Sequence, residues 1–405
     1  MSLKSYLDTI IREGNLVVRL PDGPPLDFGN GWGPPVAVAI TSRAWCARIA
    51  ANPALGLGEA YMEGGLVIER GTLWDFVETL GRNARNRPPT PNHPLLRWWR
   101  DLLRHANGRK RARRNAAHHY DLSIELYRRF LDEDLQYSCA YFPTAEATLE
   151  EAQAAKKRHI AAKLLLEPGQ RVLDIGCGWA GLALSLAHAA QVEVDGVTLS
   201  AEQLAVARGR AEANHLDDRV RFSLADYRDL QGRYDRIVSV GMFEHVGRPN
   251  FDAYFRQVAR LLKDDGVAVI HSIGRSDPPA GTQVWIEKYI FPGGYIPALS
   301  EVLPAVERAG LIVADIEILR LHYAETIRHW RARFAARRDE IADLHDERFC
   351  RMWELYLALS ELAFRYRDHM VFQLQLARRI DTVPLTRNYI TETEAHLAIP
   401  ARLVA

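Results

Sequence analysis

The chain has 405 residues, 48% hydrophobic and 25% charged, which excludes wholesale disorder and leaves room for two domains with full cores. Its formal charge of +1 hides an imbalance, because residues 1–120 carry +7 and the remainder −6. Four scattered cysteines, Cys46, Cys139, Cys177 and Cys350, with no CxxC pair, rule out a disulfide framework and fit a reducing cytoplasm.

The opening segment, MSLKSYLDTIIREGN, is a short amphipathic stretch without a signal-peptide core. No apolar run approaches the roughly 20 residues that span a bilayer. The expected location is cytoplasmic, with any membrane met from the side. Over residues 1–80, short apolar runs (Leu16–Leu20, Val36–Thr41, Leu66–Glu69) alternate with turn-rich pieces. Helices are predicted at Thr41–Asn52 and Leu73–Leu80, so 1–82 reads as a small α+β domain. A basic, Pro-rich linker is expected over 83–116. Between Arg82 and Arg114, eleven basic residues face one acid, Asp101. Such a block is a solvated linker, a nucleic-acid contact or a contact with anionic membrane, where each basic residue adds roughly 1 kcal/mol. Charge alone does not separate these.

From about residue 150 the pattern becomes strand, glycine turn, helix, repeated. Strands are predicted at Arg171–Ile175, Val192–Val197, Val220–Leu224, Arg236–Val240, Val267–Ile273 and Leu311–Leu319. Helices fall between them at Leu182–Ala190, Glu202–Asn214, Phe251–Leu262 and Glu301–Ala309. This alternation implies a mostly parallel, doubly wound α/β sheet whose ligands sit at the carboxyl ends of the strands. Residues 325–368 are helical and rich in aromatics, either a layer over the core or the lining of an apolar cavity. Val371–Leu376 reads as a late strand. Residues 386–405 are a tail with no assigned role.

The strongest local signal is Val172-Leu173-Asp174-Ile175-Gly176-Cys177-Gly178-Trp179-Ala180-Gly181, a GxGxxG between strand and helix. The spacing also suits NAD, and Asp195 lies where a dinucleotide site wants its ribose acid. Asp174 favours another donor: a carboxylate there opposes pyrophosphate but suits the sulfonium and amino group of S-adenosylmethionine. At later strand ends, Thr198 and Gln203 are candidates for the ribose, Asp226 for the adenine amine and Tyr227 for stacking on the ring. A metal site from Glu244, His245 and His271 lacks distinctive spacing.

Six further segments make the reading specific. His119-Tyr120-Asp121-Leu122-Ser123 and Tyr137-Ser138-Cys139-Ala140-Tyr141-Phe142 come first, followed by Phe243-Glu244-His245-Val246-Gly247. Then come His271-Ser272-Ile273-Gly274, Trp285 to Gly294, and His322-Tyr323-Ala324-Glu325-Thr326. With their spacing, these resemble the cyclopropane and mycolic acid synthase family of S-adenosylmethionine-dependent methyltransferases, over about residues 117–380. Ala180 stands where that family often has glycine.

The resemblance implies a Rossmann-like class I methyltransferase domain over 117–385 with helical insertions over lipid, a lipid-binding N-terminal domain, and a homodimer. It implies methylene transfer to the cis double bond of an unsaturated phospholipid acyl chain at an anionic membrane surface, with no nucleic-acid partner. Methyl transfer to an alkene leaves a carbocation, for which Tyr137, Tyr141, Phe142 and Tyr289 are candidate aromatic neighbours. In the family the base is a bound bicarbonate ion. The matching positions are the amides of Cys139 and Ile273 and the side chains of Glu244, His271 and Tyr323. Tyr137 and Ser138 join Asp174, Gly176, Gly178, Thr198, Gln203, Asp226 and Tyr227 at the donor. A sister enzyme making methylene- or methyl-branched chains shares nearly every motif, and a non-enzymatic lipid carrier needs none of the donor site.

Overall fold

Burial that alternates along Val36, Val38 and Ile40, each at most 4% exposed, marks a strand with one face on a core. It is β3 (Pro35–Ile40) of a four-stranded sheet, with β1 (Asn15–Arg19), β2 (Leu26–Gly29) and β4 (Leu66–Arg70) in the order β2-β1-β3-β4. This computed structural model describes residues 3–83 and 123–400. The basic residues 84–114 and the segment His119–Leu122 lie outside the described residues.

The described residues form two units. The first contains 3–83 together with two later segments, Thr282–Pro292 and Ile327–Asp368. Its helices include Arg43–Ala51, Pro53–Met62, Leu73–Arg82, Val284–Tyr289 and Glu347–Tyr366. Thr72 starts the third of these with a reciprocal capping box: its Oγ1 accepts from the Asp75 amide, and Asp75 Oδ2 accepts from the Thr72 amide. Trp285 is fully buried and packs where Gly58 has no side chain; a Cβ there would lie 2.4 Å from the indole. Tyr289 belongs to this unit, its hydroxyl donating to Glu59 Oε1 at 2.8 Å.

The second unit carries the doubly wound sheet. Its strands are β5 (Arg171–Ile175), β6 (Glu193–Thr198), β7 (Val220–Leu224), β8 (Tyr234–Val240), β9 (Leu262–Arg275), β10 (Ile312–Leu319) and β11 (His369–Ala377). The order is β10-β11-β9-β8-β5-β6-β7. Pairs from β7 through β9 are parallel, while β11 runs antiparallel between β9 and β10. The central strands are apolar on both faces (Val172, Leu173, Ile237, Val238, Val269 and Ile270 are all 0% exposed), as a sheet covered by helices on both sides requires. Every strand expected for this sheet is present. The helix Leu149–Leu164 was not anticipated.

That helix begins at a Thr148–Glu151 capping box and buries Lys156, Lys157 and Lys163 to 1% exposure or less. A buried ammonium requires an acceptor. Lys157 Nζ donates to Asp134 Oδ2 at 2.6 Å, and Arg210 binds the other oxygen of the same carboxylate. Asp134→Ala strands both cations and should destabilise folding by about 3–5 kcal/mol, read from urea unfolding. A loss below about 1 kcal/mol, typical of an exposed pair, would show that the triad is not organising this region.

Candidate active site

The glycine loop after β5 uses backbone shapes that side chains resist. Gly176 and Gly178 have φ of 86° and 54°. Gly181 opens the next helix so close to the 134–136 segment that a Cβ would come within 2.1 Å of Gln136 Nε2. Ala180 also takes a left-handed φ, 70°. That conformation costs an L-residue roughly 1–2 kcal/mol, so a glycine there is physically better suited. The loop forms the floor of a cleft with about 1330 Å³ of empty space, open mouth included.

Tyr137, Ser138, Asp174, Gly176, Gly178, Thr198, Gln203, Asp226 and Tyr227 all line this cleft. Asp174 is 2% exposed, and burial, eased by the nearby Lys156 charge, pushes its carboxyl up to about 7. Thr198 Oγ1 donates to Gln203 Oε1 at 2.8 Å, so these two polar groups pre-order each other. Arg228 clamps both oxygens of Asp226 at 2.8 and 2.6 Å. Tyr137 packs edge-on against Tyr127, and Tyr127 in turn tilts onto Trp179.

Cys139, Glu244, His271, Ile273 and Tyr323 do not line the cleft itself. Glu244 follows β8 and reaches the end of β9, where its Oε1 accepts from the Ile273 amide at 2.6 Å. The Ile273 N–H is therefore occupied by a carboxyl group and is not free for an anion, unlike the expectation. Glu244 Oε2 is buried with no hydrogen-bond partner of normal geometry. Burial raises this carboxyl to about 7, against the Ile273 amide, its own amide and the Ser272 hydroxyl. Cys139 is 1% exposed, its thiol held protonated by burial. No hydrogen bond from its amide is found among the described residues. Its neighbour Ala140 donates to Thr326 Oγ1 at 3.0 Å, and Phe142 donates to His322 Nδ1 at 2.9 Å. These bonds pin the Cys139 segment to the helix start that carries Tyr323. His271 lies on β9, deep in the core at 2% exposure, and burial, then Lys156 and Lys163, keep the ring neutral.

Lys156 was missed from the sequence. Its ammonium donates to Gln136 Oε1 and to Ser138 Oγ, and burial lowers it to about 8. Its charge bears on Asp174, Cys139 and His271 alike. One signal was available: Lys156 and Lys163 stand a heptad apart on the helical face that also carries Leu149, Ala152 and Ile160. Tyr141 stacks between His159 and His322, with centroids 4.4 and 4.9 Å away. Tyr289 is not among the cleft residues. Among the described residues no cluster of His, Cys, Asp and Glu is arranged to hold a metal ion.

A model of the mycolic acid cyclopropane synthetase family matches residues 107–374. Cyclopropane-fatty-acyl-phospholipid synthase of Escherichia coli K12 is 41% identical over 86% of this chain and 89% of that protein. Tuberculostearic acid methyltransferase UfaA1 of Mycobacterium tuberculosis is 40% identical over 82% of this chain and 80% of its own. The crystal structure of mycolic acid cyclopropane synthase CmaA1 with SAH and CTAB superposes with a TM-score of 0.62 and 34% identity, covering 65% of this chain and 97% of that one.

A carboxyl whose folded pKa is raised binds its proton more tightly in the folded state. Folding is then penalised increasingly as pH climbs from about 4, the unfolded value, to about 7. Asp174→Asn carries no such penalty. It should be more stable than the parent at pH 8, by up to about 4 kcal/mol, with the gap narrowing at pH 5. Urea midpoints at the two pH values measure this. An equal gap at both, or a less stable variant, would contradict the buried-carboxyl account.

Proposed function

The chain belongs to the mycolic acid cyclopropane synthetase family, and on that premise we propose that it transfers a methylene from S-adenosylmethionine to a cis double bond in a phospholipid acyl chain. The observation that carries this beyond generic methyl transfer is Glu244: buried, close to neutrality, one oxygen on the Ile273 amide and the other unpartnered. Such a carboxyl is suited to manage a proton in a site closed to water.

S-adenosylmethionine supplies the electrophilic methyl. Asp174, its ionised form favoured once a cation arrives, faces the sulfonium and amino end, while the paired Thr198 and Gln203 and the clamped Asp226 meet the nucleoside. The C–S bond breaks as the alkene electrons form the new C–C bond, leaving a carbocation on the chain. Loss of a proton from the new methyl then lets the C–H electron pair close the ring. The side chains around Glu244 suit a small anion. The Cys139 amide lacks an acceptor, neutral His271 can donate, and protonated Glu244 presents no opposing charge. Bound bicarbonate would supply the base for that proton. Tyr323 completes this set, and Ile273 acts by holding Glu244.

No helix among the described residues is long and apolar enough to cross a membrane. In this reading the acyl chain is reached from the bilayer surface, and the basic block of residues 82–114 supplies the charge for an anionic one. A cytoplasmic homodimer docked on the inner face of the membrane is the assembly we propose.

The 40% identity to a tuberculostearic acid methyltransferase supports a second reading, in which the same cation loses a different proton and gives a branched chain. Incubation with mono-unsaturated phospholipid vesicles and methyl-labelled donor, followed by mass spectrometry before and after hydrogenation, separates the two. A chain heavier by CH₂ that resists mild hydrogenation is the ring; one that takes up hydrogen is the methylene isomer. Recovery of unlabelled lipid alone, with no donor binding by calorimetry, would leave only a lipid carrier.

For the base, Glu244→Gln should lower turnover by about a hundredfold with little change in donor or lipid affinity. Stripping carbonate from the buffer should lower parent activity, and added bicarbonate should restore it. A Glu244→Gln effect confined to KM, or indifference to carbonate after careful degassing, would reassign the proton transfer to another group.

A further inference from the structure

His271 and Gln373 face each other across the antiparallel β9–β11 ladder. Gln373 is 0% exposed and Gln375, two residues on, is 1% exposed. Two buried amides in the middle of a strand are costly unless each polar atom is matched. The matches here are directional. Lys163 Nζ can only donate, and it lies 2.8 Å from Gln373 Oε1. That contact fixes which way the Gln373 amide points. Its NH₂ then faces His271 Nδ1 at 3.1 Å, so Nδ1 has to accept. A neutral imidazole whose Nδ1 accepts carries its only proton on Nε2.

Lys163 is itself held in place. It binds Glu317, with Asp315 3.9 Å away, and its carbonyl accepts from Gln375 Nε2 at 2.6 Å. The chain of fixed hydrogen bonds runs from Glu317, which accepts from Lys163, through Gln373 to the ring. No described residue accepts from His271 Nε2, which leaves that N–H available.

We propose that Gln373, oriented by Lys163, is a positioning residue that sets the tautomer of His271 and so presents an Nε2–H donor to the anion at the reacting centre. The role of that donor rests on the function proposed above; the tautomer itself does not.

The test uses full-length protein with ¹⁵N-labelled histidine, His271→Asn identifying the His271 signals. In the parent, long-range ¹H–¹⁵N correlation should show Nε2 protonated and Nδ1 bare. Gln373→Glu replaces the NH₂ donor by a carboxylate acceptor, so a proton should appear on Nδ1. Gln373→Met should leave a mixture of tautomers. Turnover of Gln373→Glu should fall by about tenfold or more, with S-adenosylmethionine affinity unchanged. Nδ1–H in the parent, or an unaltered pattern in both variants, overturns the proposal, and the parent spectrum decides even if a variant does not fold. A proton that moves without loss of turnover supports Gln373 as the tautomer-setting residue and overturns instead the role given to His271.

Discussion

Four basic side chains on one helix, Lys156, Lys157, His159 and Lys163, are each 4% exposed or less. Removing such groups from water costs several kcal/mol apiece unless good acceptors meet them, and the unit around them is arranged to provide those acceptors. Lys157 takes Asp134, and Lys156 takes Gln136 and Ser138. Lys163 takes Glu317 and Gln373. Both nitrogens of His159 lie 2.6 Å from carboxylates, Glu394 on one side and Glu317 on the other, which holds the ring as an imidazolium. The partners come from the 134–142 segment, from β10 and β11, and from the helix Asn388–His396. One helix thus fastens the 134–138 segment, two strands of the sheet and the late helix to each other.

Two carboxyls, Asp174 and Glu244, are instead raised to about 7 by burial, which for Asp174 the Lys156 charge partly offsets. Neither has a cation bonded to it in the structure; each is burdened by burial. Lys156 acts on Asp174 only through space. In the function proposed above, one of these acids meets an incoming positive charge and the other handles a proton. Stability is given up locally at such sites.

Much of this was legible in the sequence, for identifiable reasons. The parallel strands are continuous apolar runs ending in glycine turns, so β5 and β7 could be placed to the residue. Asp174, which lines the cleft, stood out because a carboxylate two residues before the first glycine opposes pyrophosphate and suits a cation. Seven of the nine cleft residues, from Asp174 to Tyr227, sit in or just after β5, β6 and β7, where a doubly wound sheet gathers its ligands, whereas Tyr137 and Ser138 were reached only through the family resemblance. What was hidden is what depends on pairing across distance. Lysines on a helix normally read as a solvated face, and nothing local announces that Lys163 will meet Gln373, 210 positions away. Residues 325–368 read as an extension of the domain before them, yet from Ile327 to Asp368 they pack with the first 83 residues, because an amphipathic helix does not state which core it will cover. The Ile273 amide was assigned to an anion through the family resemblance alone, and its bond to Glu244 was hidden because a backbone N–H carries no sequence label for its acceptor.

The strand His369–Ala377 is inserted between β9 and β10, which have no ladder with each other. A ribosome makes it after every other described strand. Until it emerges, β9 is an open edge carrying Val267, Val269 and Ile270, and β10 has no neighbour at all, a state prone to wrong pairing. His271 also waits, since the residue opposite it has not yet been synthesised. The order of translation therefore leaves the gap between β9 and β10, and the ladder partner of His271, to be filled last among the described strands.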